Sequence, residues 1–202
     1  AIADRTQINE YEFRAKHALS DKPIIALLPG SRKQEITKML GVMLSLVNDF
    51  KDYQFVIAGA PSQDRAFYDT FIKKANVSFI NNETYNLLSV STAALVTSGT
   101  ATLETALFKV PQVVCYKTSF VSYFIGKMLV NIKYISLVNL ILNDRIVNEL
   151  VQGELNSNNL KNSINKILKK DNKLEMINAY NNLINMLYAE NPSRKTAELI
   201  VR

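Results

Sequence analysis

Cysteine and histidine are almost missing from this 202-residue chain, which has one of each, Cys115 and His17. An internal disulfide framework and a cysteine-based zinc cluster are therefore excluded, and too few soft ligands remain for a His/Cys metal site. Cys115 sits in the apolar run Val113-Val114-Cys115-Tyr116, where a buried and unreactive thiol is expected. No apolar run reaches the roughly twenty residues that a membrane span needs. The most apolar stretch, 118–142, is interrupted by Lys127 and Lys133 and preceded by Lys117. Residues 1–21 carry charges throughout and hold no apolar segment of the signal-peptide kind. Internal repeats, a nuclease-like carboxylate cluster, a Ser/His/Asp set and interleaved basic and aromatic strand residues are all lacking, so nothing in the motifs speaks for nucleic acid. The chain does not start with Met, and Ile2-Ala3-Asp4-Arg5 leads directly toward a helical stretch over Tyr11 to Leu19. It reads as a beginning in mid-protein, hence as a fragment.

What is present points to an anion-binding α/β domain. A hydrophobic content of 48% supports one core of ordinary size. The formal charge of +6 favours an anionic partner: a nucleotide, a phosphorylated small molecule, nucleic acid or an acidic membrane surface. Ile24-Ile25-Ala26-Leu27-Leu28 is a continuous apolar run of the type a parallel sheet buries on both faces. Further strands are expected at Tyr53 to Gly59, Val77 to Ile80, Ala93 to Val96 and Val113 to Tyr116, with helical stretches between them. Short strands alternating with helices predict a doubly wound, Rossmann-like parallel sheet, whose ligands bind beyond the carboxyl ends of the strands. From Asn156 the composition turns helical and Asn/Lys-rich, with Leu160, Ile164, Ile167 and Leu168 on one face and Leu174, Ile177, Leu183, Ile184 and Leu187 on another. The expected division is a Rossmann-like lobe over 1–155, with 1–20 as an entry segment, and a helical extension over 156–202, closing in a last helix after Asn191-Pro192.

Two turns fall at strand ends. Pro29-Gly30-Ser31-Arg32-Lys33-Gln34-Glu35 leads into a helix, so Gly30 and Ser31 can present N–H groups to an anion while Arg32 adds a permanently charged fork able to grip a phosphate. Val96-Thr97-Ser98-Gly99-Thr100-Ala101-Thr102-Leu103-Glu104 repeats the theme: free N–H groups at a helix start, a glycine that admits a ligand to the backbone, and Glu104 about one turn in, placed to accept from a sugar hydroxyl. An ordinary strand-to-helix turn capped by Ser98 or Thr100, with Glu104 solvated, fits this second stretch equally well. Phe120, Tyr123, Phe124, Lys127 and Met128 belong to a lysine-edged apolar stretch that suits either core packing or an anionic membrane surface. Asn139, within Tyr134-Ile135-Ser136-Leu137-Val138-Asn139-Leu140, is a polar side chain in apolar surroundings and demands a partner, internal backbone or ligand.

Leu27-Leu28-Pro29-Gly30-Ser31-Arg32 with Glu35, the Ser98 to Glu104 stretch, Pro111, and Tyr134 to Leu140 with Glu149-Leu150-Val151-Gln152 together resemble, in order and spacing, the carboxy-terminal half of bacterial lipid A disaccharide synthase. The resemblance implies one lobe of a two-lobed GT-B glycosyltransferase, with UDP-2,3-diacylglucosamine as donor and 2,3-diacylglucosamine 1-phosphate as acceptor. Gly30, Ser31 and Arg32 would then meet the donor diphosphate, and Glu35 would support that loop or a donor hydroxyl. Ser98, Gly99, Thr100 and Ala101 would form a second cradle, with Glu104 on the ribose. Asn139 and Gln152 match a segment reaching the nucleotide site, including that of a partner subunit should the protein form a homodimer. Val138 departs from the proline that many relatives carry before that Asn. The resemblance further implies no cofactor and no metal, a catalytic base in an amino-terminal lobe unmatched here, and a place on the cytoplasmic face of a Gram-negative inner membrane, where the stretch around Phe120 would face the bilayer. Two rivals remain: another UDP-sugar enzyme of the same build, such as an epimerase or cell-wall glycosyltransferase, and a non-catalytic nucleotide-binding domain.

Overall fold

A computed structural model describes residues 8–73, 75–117 and 133–189. In chain order these form α1 (Glu10–Lys16), β1 (Ile24–Leu28), α2 (Lys33–Leu44), β2 (Gln54–Gly59), α3 (Arg65–Ile72), β3 (Val77–Asn81), α4 (Thr84–Ser89), β4 (Ser91–Thr97), α5 (Thr100–Leu107) and β5 (Gln112–Tyr116). After them come α6 (Leu137–Leu142), β6 (Asn148–Val151), a 3-10 turn at Gln152–Glu154, α7 (Ser157–Leu168) and α8 (Lys170–Ala189). The strands build one sheet in the order β3-β2-β1-β4-β5-β6. Every pairing is parallel. The expected doubly wound sheet is therefore present.

Successive strand residues point to opposite faces, so one apolar strand feeds two cores. Ile25 and Leu27 join Phe55, Ile57 and Leu95 beneath α2 and α3, whereas Ile24, Ala26 and Leu28 join Val56, Ala94 and Val96 beneath Phe13 of α1 and Leu87 and Leu88 of α4. β1 is buried at every position. That is why it reads as an unbroken apolar run. Cys115 is fully buried, and burial pushes its thiol up to about 12, so the expectation of an inert cysteine holds.

α7 and α8 are not an appendage. Leu160, Ile164 and Ile167 of α7 and Met176, Tyr180 and Leu183 of α8 enter the same core as Ile25 and Leu27. In α8 the buried stripe follows 176, 180, 183, with Leu187 packed at its edge, so Leu183 and Leu187 of the expected face stay on the core side while Leu174, 57% exposed, falls off it. A buried glutamine locks the layer: Gln112 of β5 donates to the Thr102 carbonyl at 2.9 Å and to the Tyr180 hydroxyl at 3.3 Å. The helix expected after Asn191-Pro192 and the lysine-edged stretch with Phe120, Tyr123, Phe124, Lys127 and Met128 lie outside the described residues. Among the described residues no helix is long and apolar enough to cross a membrane.

If α7 is part of the core, Leu160→Ala lowers unfolding stability by about 3 kcal/mol while Leu174→Ala changes it by less than about 0.5 kcal/mol. Urea unfolding of the two variants checks this.

Candidate functional site

β1 and β4 are neighbours, with Leu28 opposite Val96. Their helices leave toward different faces, so a crevice opens between the two following loops. That crevice is the floor of a cavity of about 920 Å³, lined from the first loop by Gly30, Ser31, Arg32 and Glu35 and from the second by Ser98, Gly99, Thr100, Ala101 and Glu104. The two turns singled out in the sequence, some seventy residues apart, therefore converge on one site. Ala60 and Pro61 after β2 and residues 82–86 after β3 complete the walls.

The loops are built differently. In the first, Gly30 has φ +109°, and a Cβ there would lie 2.6 Å from a Glu35 carboxylate oxygen. Glu35 folds back to accept the Ser31 N–H at 3.0 Å and the Arg32 N–H at 3.2 Å. The Ser31 carbonyl is in turn pinned by the Ser62 hydroxyl at 2.6 Å. The expectation that Ser31 offers a free N–H to an anion is thus corrected, because the loop's own carboxylate satisfies it. What the loop presents is the Arg32 guanidinium, 84% exposed, with one 3.5 Å contact to Glu35.

In the second loop the donors are free. Gly99 precedes α5 with φ 156° and ψ −164°, a conformation closed to residues with a Cβ, and nothing lies within 4 Å of the position a Cβ would take. No side chain caps α5, so among the described residues the N–H groups of Gly99, Thr100 and Ala101 have no acceptor. Ser98 does not serve as the cap or as a free hydroxyl: it donates to the Ile135 carbonyl at 2.8 Å, and its N–H bonds the Cys115 carbonyl at 3.0 Å. Glu104 is half-buried in the cavity wall and its carboxylate has no hydrogen-bond partner among the described residues. Burial pushes its carboxyl above the ordinary range. An unpaired, partly desolvated carboxylate one turn beyond a cluster of free N–H groups can accept from hydroxyls of a ligand whose anionic part sits on those N–H groups.

Asn139 is found elsewhere. It is fully buried in α6, its amide oxygen accepts the N–H groups of Ile146 and Val147, both at 2.9 Å, and its nitrogen donates to the Val147 carbonyl at 2.9 Å and to Glu149 at 2.8 Å. Of the two partners considered for it, the internal one is realised. Gln152 opens the 3-10 turn after β6 with φ 52°, also away from the cavity lining. Sequence reasoning passed over Glu149, which accepts from Ile135 N–H at 3.0 Å, Ser136 N–H at 2.9 Å, the Ser136 hydroxyl at 2.7 Å and Asn139. Because Ile135 holds Ser98, this carboxylate steadies the second loop from β6. Its signal was present in the motif that includes Glu149, but no local pattern says that a strand carboxylate reaches back fourteen residues. Also missed were residues 82–86. There Glu83 is kept below the usual carboxylate range, chiefly by the Lys16 ammonium at 2.7 Å, which ties α1 to the cavity wall.

Sheet order and the crevice together define a Rossmann-like domain with its ligand site at the topological switch point. Among solved structures the chain is similar to ADP-heptose LPS heptosyltransferase II of E. coli, with TM-score 0.53 and 13% identity over 81% of this chain and 53% of that one. It is likewise similar to the C-terminal CMP-Kdo binding domain of WaaA from Acinetobacter baumannii, with TM-score 0.52 and 10% identity over 86% and 95%. These likenesses establish the fold. The family model described as lipid-A-disaccharide synthetase matches residues 1–201, and the chain belongs to that family. It is 39% identical to the lipid-A-disaccharide synthase of Syntrophus aciditrophicus (strain SB) over 183 residues, 87% of this chain and 48% of that protein. The chain thus spans about half the length of the curated relatives it matches.

Two outcomes follow. Removing Glu149 leaves several buried donors unpaired, so Glu149→Ala should lower stability by about 3 kcal/mol in thermal or urea unfolding. A carboxyl raised in the folded state binds its proton more tightly there than in the unfolded chain, so its contribution to stability falls as pH rises through the carboxylate range. Glu104→Gln should therefore melt above the unsubstituted chain at neutral pH, with the advantage vanishing in acid below that range, as a pH series of melting curves will show.

Proposed function

We propose that this chain is the donor-binding half of a lipid A disaccharide synthase, holding UDP-2,3-diacylglucosamine for transfer to 2,3-diacylglucosamine 1-phosphate. The observation that carries the reading is the row of free N–H groups at Gly99, Thr100 and Ala101 facing the Arg32 loop across one crevice, in a member of this family. A diphosphate laid between them would be held by α5 on one side and by the guanidinium on the other. Glu104 would take the ribose.

In the whole protein the acceptor's 6-hydroxyl oxygen attacks the anomeric carbon, the bond from that carbon to the diphosphate breaks, and UDP leaves with the electron pair. The hydroxyl proton passes to a base outside this chain, in the amino-terminal lobe. Negative charge grows on the leaving diphosphate, and donors fixed before the reaction stabilise it more in the transition state than in the ground state. No metal is invoked; Arg32 and the start of α5 take that charge. The stretch containing Phe120, Tyr123, Phe124, Lys127 and Met128 is assigned to the anionic membrane surface from its sequence, which would place the protein on the cytoplasmic face of a Gram-negative inner membrane with the acyl chains left in the bilayer.

Calorimetric titration of the chain with UDP should show binding that Glu104→Ala weakens, together with little or no sugar transfer. In the whole protein, loss of one charge-assisted bond worth about 2 to 4 kcal/mol predicts that Arg32→Ala lowers turnover at least about a hundredfold. A drop below about fivefold removes Arg32 from the chemistry on the same scale.

A further inference from the structure

Tyr85 lines the cavity and is 43% exposed, the one large apolar side chain among the described residues that is both exposed and in that wall. Hydrophobic burial favours covering such a ring, and neither α4 nor α5 covers it. Its other side is braced: the Phe108 ring lies 5.4 Å away, centroid to centroid, at an interplanar angle of 35°. Phe108 follows Glu104 by one helical turn, its N–H bonded to the Glu104 carbonyl at 3.1 Å, so both side chains leave the same flank of α5. Burial, and after it the charge of Glu104, push the Tyr85 phenol up. Free N–H groups at 99–101, an unpaired carboxylate at 104 and a braced aromatic face at 85 thus follow one another along the wall. Anion, sugar hydroxyls and flat base follow one another in the same order along a nucleoside diphosphate.

We infer that Tyr85, supported by Phe108, is the platform on which the base of the bound nucleotide stacks. The inference rests on the donor-site reading above and adds a specificity-determining residue to it. Stacking on an aromatic face tolerates any base, so Tyr85 selects for a nucleotide over a bare diphosphate and not for uracil over cytosine. Tyr85 needs its ring and not its hydroxyl. Among the described residues no hydrogen bond or ring contact joins it to Arg32 or to the N–H groups, so the phosphate end of the site is independent of it.

The test is calorimetric titration of the chain and of its Tyr85→Ala and Tyr85→Phe variants with UDP, CDP and inorganic pyrophosphate. Tyr85→Ala is expected to weaken UDP and CDP alike, by about tenfold or more from the strength of base stacking, and to leave pyrophosphate unchanged, whereas Tyr85→Phe keeps the parent affinities. Pyrophosphate binding at parent strength also shows that the Ala variant is folded. The inference is overturned if UDP binds the parent chain and Tyr85→Ala equally, or if the Ala variant loses UDP and pyrophosphate in parallel. A parent chain that binds no UDP at all overturns the donor-site reading itself, and the platform with it.

Discussion

The parallel pairing of β1 with β4 is the constraint on which the rest depends. It is a long-range contact: α2, β2, α3, β3 and α4 lie between the two strands in the chain. It stands because both strands are apolar on two faces and must be covered by neighbours and helices on both sides. Once β1 is central, the chain winds outward in one direction as β2 and β3 and in the other as β4, β5 and β6. The reversal leaves a crevice at the carboxyl ends where no helix can sit over both strands.

Within that crevice the two loops have divided the work. The first carries its own counter-charge: Glu35 takes the Ser31 and Arg32 N–H groups, which fixes the loop and removes it as a backbone anion cradle. It keeps an exposed cation, Arg32, as its offering. The second does the reverse, leaving its N–H groups bare and its carboxylate, Glu104, a turn away. A helix start without an internal cap is less stable than a capped one, by about 1 kcal/mol in ordinary helices. Retaining such a start at a cavity mouth is what a site that receives its cap from a ligand requires.

The second loop is also held from the far side of the sheet. Ser98 hangs from the Ile135 carbonyl, Ile135 and Ser136 hang from Glu149 on β6, and Asn139 closes the ring. The tail helices extend this support, since Gln112 links α5 to Tyr180 of α8. Among the described residues, those from 133 to 189 thus serve the site without lining it.

The sequence by itself determined the alternation of strands and helices, because buried parallel strands must be unbroken apolar runs and their helices must carry an apolar stripe. It also marked Gly30, Arg32, Gly99 and Glu104 as anion-site candidates, because each glycine stands at a strand end before a helix start, although an ordinary capped turn fits the second stretch as well. Only the tertiary structure decided which donors stay free. Ser31 and Ser98 look alike in the chain, yet one loop is closed by a carboxylate four residues on and the other is tied to a carbonyl thirty-seven residues on. The same holds for Asn139, whose need for a partner was legible while the partner was not, and for Tyr85, an unremarked aromatic until α4 and α5 set it on Phe108 beside Glu104. Hydrogen bonds and exposure are properties of what surrounds a residue, and for Ser98 and Tyr85 the surroundings come from distant parts of the chain.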